Sequence, residues 1–236
     1  ISDLTEDDIM LIMYSHKNDL AFEYYENMMS IPGRRIFYDT DLATYRVYRD
    51  CPTQQWNRSL SERSTVTITN CEGDFPAGCR EVVDFVETPT NIFTYVGSLD
   101  TKRCKYLDDI LVQTPLLVNF HGYYGTLTGN SGPYTCFTYP ELLEYLSSSA
   151  FGLYLRHPTF RSPRFLESFN HVTNKPREYT EAGIPCFDDR EELFTIDVLY
   201  RLLEDKEYRR SLYYSTLEKY HYQAITRKFI SLMESL

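Results

Sequence analysis

The segment 173–187 has the sequence TNKPREYTEAGIPCF, which indicates a short helix followed by a strand. Pro176 suits the first turn of a helix, because its missing amide proton would have no partner there. Gly183 ends the helix and permits a tight turn into the next segment. We therefore predict a helix over residues 175–181 and a strand over residues 184–187, a succession typical of parallel α/β sheets.

The rest of the chain repeats this alternation of apolar strand patterns and amphipathic helix patterns. We predict an α/β fold with two Rossmann-like parallel-sheet domains and a helical C-terminus. The first domain, residues 1–90, is reduced, because a domain of this kind normally needs about 100–150 residues and part of this one, residues 42–62, is polar and irregular. The second domain covers residues 91–236. The predicted strands are residues 9–14, 35–38, 64–69, 82–86, 92–96, 115–120, 135–138, 151–155 and 184–187. The predicted helices are residues 19–29, about 100–112, 140–148, 175–181 and most of the chain from residue 196 onward.

Composition and charge exclude several classes of protein. Of the 236 residues, 42% are hydrophobic and 25% are charged, which disfavours a disordered chain or a coiled coil. The 24 Lys and Arg residues against 34 Asp and Glu residues leave a net charge of −10. We therefore expect no nucleic acid and no anionic membrane as a partner through bulk electrostatics.

We also expect neither a signal peptide nor a membrane span from the sequence. No apolar run approaches the roughly 20 residues of a membrane span, so we expect a chain that does not span a membrane. Ile1 and the residues after it do not resemble a signal peptide, which predicts a cytoplasmic protein. The missing methionine suggests a processed or excised fragment.

Six cysteines occur at positions 51, 71, 79, 104, 136 and 186, without a C-x-x-C pair or zinc-finger spacing. We expect buried thiols in a reducing compartment rather than a metal site or a disulfide framework. A bridge between Cys71 and Cys79 across a loop is left open by the sequence.

The start of the helix predicted at residue 175 is a candidate anion site. A helix N-terminus presents unpaired amides, and Lys175 adds a positive charge beside them. Glu178 follows about one turn later, in position to accept hydrogen bonds from a sugar diol. The alternative interpretation is an ordinary capped helix with surface charges.

The same segment, Asn174-Lys175-x-x-Glu178-Tyr179-x-x-Ala182-Gly183-Ile184-Pro185, resembles the NKxxEYxAAGxPVV motif of GT-B glycosyltransferases of the family 4 type. Other segments resemble further motifs of the family in the same order, and the set covers about residues 91–236. These segments are 95–102 (YVGSLDTK), 116–121 (LLVNFH), 139–143 (YPELL), 147–154 (SSSAFGLY) and 202–209 (LLEDKEYR). Residues 35–41 and 61–70 resemble the end of the family's acceptor domain, and the opening of that domain is absent.

The resemblance implies transfer of a sugar from a nucleotide-sugar donor to a glycan, lipid or protein acceptor. It further implies that the anomeric configuration of the sugar is retained and that no metal or other cofactor is needed. It implies that Lys175 and the helix N-terminus hold the diphosphate, that Glu178 holds the ribose or donor sugar, and that Lys102 neutralises the leaving group. The predicted catalytic residues are Glu178 and Lys102, which the resemblance implies, and His121, which follows a predicted strand. The predicted substrate-binding residues are Gly97, Ser98, Lys102, Asn174, Lys175 and Glu178, from the resemblance, and Arg156, as a further cation for the phosphate.

Two departures from the family pattern concern charge at this site. The first acid of the family's E-x7-E pair is Asn170 here, and the arginine that often follows the first-strand glycine is Ser98. Phosphate neutralisation could instead use other basic residues of the second domain. The candidates are Arg156, Arg161, Arg164 and Lys175.

Other interpretations stay open. Asp39-Thr40-Asp41 follows a predicted strand, and two carboxylates there suit Mg²⁺ or Mn²⁺ in a metal-dependent GT-A-like transferase. A non-catalytic GT-B remnant that binds a partner or nucleotide sugar is favoured by the short first domain.

That short domain also predicts an uncovered sheet edge, and hence a homo-oligomer or part of a longer chain. His16 and His121 each follow a predicted strand, where they could line the ligand crevice and act as acid–base groups. The alternative is that both are loop histidines whose side chains form hydrogen bonds with the backbone.

Overall fold

The computed structural model describes residues 5–13, 26–27, 29–39, 59–71, 74–76, 78–80, 82–90, 92–95, 101–113, 138–157, 159, 174–190 and 192–236. These residues form two compact units. The first unit contains the described residues up to Pro76 together with Gln223–Leu236, and the second contains the described residues from Gly78 to Tyr222. The architecture is mixed α/β, with a small parallel sheet in each unit and a helical C-terminus.

The described elements follow one another in a mixed order of strands and helices. They are β1 (Ile9–Met13), β2 (Arg34–Asp39), β3 (Val66–Thr69), α1 (Thr101–Leu111), α2 (Tyr139–Leu146), β4 (Gly152–Tyr154), α3 (Lys175–Glu181), β5 (Cys186–Asp188), α4 (Ile196–Glu204), α5 (Lys206–Tyr220) and α6 (Tyr222–Ser235). Each agrees with an element predicted at or near the same position. The predicted strands at residues 115–120 and 135–138, and most of the predicted helix at residues 19–29, lie outside the described residues.

The sheet of the first unit is parallel, with the strand order β1-β2-β3. Ile36 and Phe37 of β2 are both fully buried and belong to different clusters, because successive side chains of a strand point to opposite faces. The cluster around Phe37 contains Ile12, Met29 and Leu60. The cluster around Ile36 contains Ile68, Phe75 and, from α6, Ile225, Phe229, Leu232 and Met233. The last helix therefore completes the core of the first unit.

The sheet of the second unit pairs β4 with β5 in parallel. The predicted strand at residues 92–96 contributes a single bridge, between Thr94 and Gly152, rather than a ladder. Thr94 N donates to Phe151 O at 3.1 Å, and Leu153 N donates to Thr94 O at 2.9 Å. The Thr94 segment, β4 and β5 thus run side by side.

Helices cover both faces of this second sheet. Alternate residues of the β4 segment, Phe151, Leu153 and Leu155, pack against α1 and α4. Tyr154 and Cys186 belong to the opposite face and cluster with residues of α2 and α3. A parallel sheet with helices on both faces is the architecture that strand–helix–strand units produce. The described residues do not contain two complete Rossmann-like domains.

The predicted strand at residues 82–86 is wrong, because no ladder forms there among the described residues. Instead, Val86 N donates a hydrogen bond to Gly183 O at 2.8 Å, which ties this segment to the second unit. The compact units accordingly divide after residue 77, whereas the predicted boundary lies at residues 90 and 91. The first unit also takes most of α6, which the prediction assigned to the second domain.

The C-terminal helices are separated by capping residues. Thr195 Oγ1 accepts a hydrogen bond from Val198 N at the start of α4, and the Asp205 carboxylate accepts one from Tyr208 N at 2.8 Å at the start of α5. Such side-chain oxygens satisfy amides that have no partner within the helix. None of the helices that the structure describes is long and apolar enough to cross a bilayer.

Cys71, Cys79 and Cys186 are free thiols, so the bridge that the sequence left open between Cys71 and Cys79 is not formed. Cys186 is buried, in agreement with the prediction of a small core residue, and Cys79 is buried as well. Cys104, for which the same prediction was made, is only half-buried, and Cys136 lies outside the described residues. Burial raises the pKa of Cys79 to about 11, which keeps this thiol protonated and unreactive at neutral pH.

Candidate functional site

The helix α3 has the bounds predicted from the sequence and is fixed on the sheet by Tyr179. This side chain is fully buried, and its ring covers Gly152 so closely that a Cβ there would lie 2.3 Å from ring atoms. The Tyr179 hydroxyl donates to Leu153 O at 3.1 Å. The tyrosine and Gly152 are thus matched packing partners that hold α3 against β4.

Both ends of α3 follow from local chemistry. Pro176 stands in the first turn, and Gly183 has a φ of +77°, a conformation that favours glycine. A Cβ on Gly183 would also lie 2.6 Å from Asp84 O. The predicted binding residue Asn174 is exposed, and its side chain makes no capping hydrogen bond. Its carbonyl accepts from Glu178 N at 2.9 Å, which begins the helix.

Lys175 lies between two tyrosine rings. Its Nζ is 5.6 Å from the centre of the Tyr95 ring and 5.8 Å from the centre of the Tyr154 ring. Burial lowers the pKa of Lys175, the charge of Glu178 opposes that shift, and the charge of Arg103 adds to it. Because burial and a second cation both disfavour the ammonium form, an anion bound here would stabilise it.

Glu178 is half-buried and lies one turn along α3 from Lys175. Burial raises the pKa of Glu178, the charges of Lys175 and Arg177 oppose the rise, and Glu181 adds to it. The carboxylate therefore has cations beside it and is only partly solvated. These surroundings suit a group that accepts hydrogen bonds from a bound hydroxyl compound.

Arg103 supplies the second cation of the site, although the sequence analysis selected Lys102. Lys102 is exposed in the first turn of α1, whereas Arg103 is half-buried and its charge acts on Lys175. Arg103 also shares the side of α1 that carries the buried residues Leu107 and Ile110, four and seven positions later. This helical spacing was present in the sequence and could have identified Arg103.

Lys175, Glu178, Arg103, Tyr95 and Tyr154 are hereafter the lysine cluster. Tyr154 ends β4, and Tyr95 follows Thr94, which is bridged to β4. The cluster therefore lies at the carboxyl ends of parallel strands, where open α/β sheets bind their ligands.

Arg156, predicted to bind substrate, is held in a buried ion pair. Its guanidinium is 3% exposed and binds the Asp188 carboxylate through Nε, at 2.7 and 2.8 Å, and through Nη2. It also lies 4.9 Å from the centre of the Tyr154 ring. Burial alone would lower the pKa of Arg156, but the bonds and charge of Asp188 raise it, so this arginine stays charged.

Asp189 is a buried acid beside Tyr154 of the lysine cluster, and the sequence analysis did not single it out. It is fully buried, and one carboxylate oxygen accepts hydrogen bonds from the backbone amides of Arg156 and His157. The other oxygen has no hydrogen-bond partner among the described residues. Burial raises the pKa of Asp189 to about 7, and the two amides oppose the rise. The only signal in the sequence was an Asp-Asp pair directly after a predicted strand.

Several predicted site residues lie outside the described residues, and their assignment stays a prediction. These are Gly97, Ser98 and His121, together with His16, Asp41, Arg161 and Arg164. Asp39, the first acid of the Asp-x-Asp motif, has no solvent-exposed surface at the end of β2. In the part of the chain that is described, no three His, Cys, Asp or Glu side chains are arranged to hold a metal ion.

No protein-family model matches the chain, and no curated protein is significantly similar to it in sequence. The functional argument therefore depends on the residues of the second unit. The lysine cluster combines two cations, one acid and two aromatic rings. This combination suits an anion that is attached to a hydroxylated group.

Proposed function

We propose that the chain is a glycosyltransferase that moves a sugar from a nucleotide-sugar donor to a glycan, lipid or protein acceptor. The observation that carries the proposal is the lysine cluster, in which the charges of Glu178 and Arg103 both act on Lys175 at the carboxyl ends of parallel strands. The ordered motifs that resemble GT-B enzymes add to it. The finer architecture, two Rossmann-like domains with a reduced acceptor side, is part of the same proposal.

The proposed roles follow from charge and position. Lys175 and Arg103 hold the diphosphate of the donor, and Glu178 accepts hydrogen bonds from hydroxyls of the ribose or the donor sugar. When the bond between the anomeric carbon and the diphosphate oxygen breaks, negative charge accumulates on the departing diphosphate. Fixed cations beside that oxygen stabilise the charge as it develops. Retention and independence of metal ions are carried over from the resemblance.

A second candidate is a module that binds a nucleotide sugar without transferring it. The pairing of Arg156 with Asp188 favours this candidate, because it engages a cation that the sequence analysis offered for neutralising the donor phosphate. The metal-dependent GT-A interpretation is less favoured, because Asp39 is completely buried and offers no carboxylate oxygen at the surface.

The test of the proposal is a thermal-shift screen of the whole chain against uridine, guanosine and adenosine diphosphates and their sugar conjugates. A ligand present at about 100 times its Kd should stabilise the protein by about 2.7 kcal/mol. Binding should persist in excess chelator. Turnover of the bound donor, with or without an added acceptor sugar, separates a transferase from a binding module.

The substitution Glu178→Ala tests whether the donor binds at the lysine cluster. It should weaken nucleotide-sugar binding by about 1–3 kcal/mol, the range for hydrogen bonds to a charged group. Glu144→Ala, which removes an exposed acid from α2, should leave the affinity unchanged. The proposal fails if no nucleotide stabilises the chain, or if a folded Glu178→Ala protein binds the donor as well as the original chain.

A further inference from the structure

We propose that Asp189 is a positioning residue for anion binding at the lysine cluster: it acts on a bound anion through Arg103, and tight binding requires its carboxyl group to be uncharged. The inference rests on the proposed function, because it assumes that the cluster holds an anionic group of a ligand. Asp189 directly follows β5, and its backbone amide donates to Tyr154 O at 3.2 Å. Since Tyr154 belongs to the cluster, Asp189 lies at the same carboxyl edge of the sheet.

The carboxyl group of Asp189 is completely buried, and only one of its oxygens is satisfied. That oxygen accepts hydrogen bonds from the backbone amides of Arg156 and His157, the second at 2.7 Å. The other oxygen makes no hydrogen bond with the described residues. A buried charge is costly unless its hydrogen-bonding capacity is satisfied, so this environment favours the protonated group. Because both amides bond to the same oxygen, a proton on the other oxygen is compatible with them.

The charges around Asp189 come from β5 and from α1. Burial raises the pKa of Asp189 to about 7; the two amides and the charge of Arg103 oppose the rise, and the charge of Asp188 adds to it. Tyr106 follows Arg103 by three positions on α1, and burial together with the charge of Asp189 raises its pKa as well. One side of α1 therefore faces this acid, and the acid changes its charge near neutral pH.

Arg103 connects Asp189 to the anion site, because its positive charge acts on both Lys175 and Asp189. When Asp189 is uncharged, Arg103 and Lys175 repel each other, and a bound anion relieves that repulsion. When Asp189 is ionised, its negative charge offsets that of Arg103 and repels the anion. The affinity for an anion should therefore fall as the pH rises through about 7. By reciprocity, a bound anion should strengthen the binding of the proton to Asp189.

Other groups at the cluster can also change their charge with pH. Burial lowers the pKa of Lys175 and raises that of Glu178, so loss of a proton from either would also weaken the binding of an anion. His157, whose ring is bonded to Thr159 Oγ1 at 2.8 Å, is of the residue type that most often changes charge near neutral pH. The contribution of Asp189 must therefore be separated from these by substitution.

The test is isothermal titration of the whole chain with methanedisulfonate and with uridine diphosphate, from about pH 6 to about pH 8.5 at constant ionic strength. Methanedisulfonate resembles a diphosphate but keeps both charges over this range, so a change in its affinity comes from the protein. That affinity should fall about fivefold or more in the original chain, a usual size for coupling between two sites. In Asp189→Asn, which has the shape of the protonated acid, it should change less than about twofold. His157→Gln and the exposed control Asp108→Asn should keep the full decrease.

A second measurement needs no variant. Titrations of the original chain near pH 7 in two buffers of different ionisation enthalpy should show that the protein takes up protons when methanedisulfonate binds. For uridine diphosphate, whose own phosphate titrates, the difference between the original chain and Asp189→Asn is the readout.

The inference is overturned if the affinity of the original chain does not fall with pH, if no proton is taken up, if the decrease persists in Asp189→Asn, or if His157→Gln removes it. In each of these cases an anion still binds, so the proposed function stands. If neither methanedisulfonate nor uridine diphosphate binds at any pH, the lysine cluster is not an anion site, and both proposals fail.

Discussion

Lys102 and Arg103 are neighbours on α1, yet a helix turns by about 100° per residue, so they face different surroundings. Lys102 is exposed, while Arg103 is half-buried on the side of α1 that carries Leu107. Two basic residues in succession therefore have unequal access to a ligand at the lysine cluster. This difference permits a direct test with matched substitutions.

Arg103→Ala should weaken the binding of a nucleotide diphosphate about tenfold or more, because it removes a cation beside Lys175. Lys102→Ala removes the same charge one residue earlier and should change the affinity less than about threefold. Isothermal titration of both variants measures the difference. A larger loss of nucleotide affinity in Lys102→Ala than in Arg103→Ala would show that Lys102, the residue predicted from the sequence, is the cation that binds the diphosphate.

Asp189 connects folding to pH. Burial raises the pKa of Asp189 to about 7, from 3.8 for an unperturbed carboxyl group. Between these values the unfolded chain has released the proton that the folded chain retains, so stability falls as the pH rises and the loss is complete above about pH 7. Glu178 contributes in the same direction, because burial raises its pKa as well.

Asp189→Asn should therefore flatten the dependence of stability on pH. Relative to the original chain, the variant should gain about 2.6 kcal/mol between pH 5 and pH 8, since the change spans nearly two pK units and each corresponds to roughly 1.4 kcal/mol. Urea denaturation at several pH values measures this, and Asp108→Asn, at an exposed position of α1, is the control. Parallel curves for Asp189→Asn and the original chain would contradict the assignment.

At the scale of secondary-structure elements, the close packing of Tyr179 on Gly152 holds α3 against β4. Gly152 has no room for a Cβ, because the ring of Tyr179 occupies that space. Gly152→Ala should destabilise the protein by about 3 kcal/mol, at the upper end for overpacked cores. Chemical denaturation measures the cost.

A double substitution separates steric overlap from other effects of the alanine. Tyr179→Leu makes the covering side chain smaller, so the double variant Gly152→Ala/Tyr179→Leu should cost less than the sum of the two single variants. If the two costs simply add, the packing of Tyr179 on Gly152 is not what excludes a Cβ.

The two compact units have cores made of different side chains. Phe75 is buried in the first unit, with its ring 5.8 Å from that of Phe229 on α6. Phe93 is buried in the second unit, 5.4 Å from the ring of Phe151. Because each side chain packs within its own unit, its removal should loosen one core and spare the other.

Phe75→Ala should cost about 3 kcal/mol and raise hydrogen exchange in β1, β2, β3 and α6, with little change in the second unit. Phe93→Ala is the matched substitution and should give the reverse pattern. Hydrogen exchange resolved by peptide measures both. Equal acceleration across both units in each variant would show that the chain unfolds as one cooperative body.

Local patterns in the sequence were sufficient for most of the secondary structure. The apolar run of β1 and the Pro176 and Gly183 boundaries of α3 are recognised from neighbouring residues, because strand alternation and helix termini depend on backbone sterics and nearby amides. The same reasoning correctly predicted the parallel α/β character and the helical C-terminus. It also assigned a strand to residues 82–86, which have no pairing partner in the described part of the chain.

Contacts between distant residues required the tertiary structure. The ion pair of Arg156 with Asp188 joins residues 32 positions apart. The pKa of Asp189 is raised because the folded chain buries its carboxyl group. The membership of α6 in the first unit likewise depends on Phe75, far earlier in the chain. The burial of a side chain and the charges around it depend on all residues that are close to it in space. A local sequence pattern shows only the residues that are close to it along the chain.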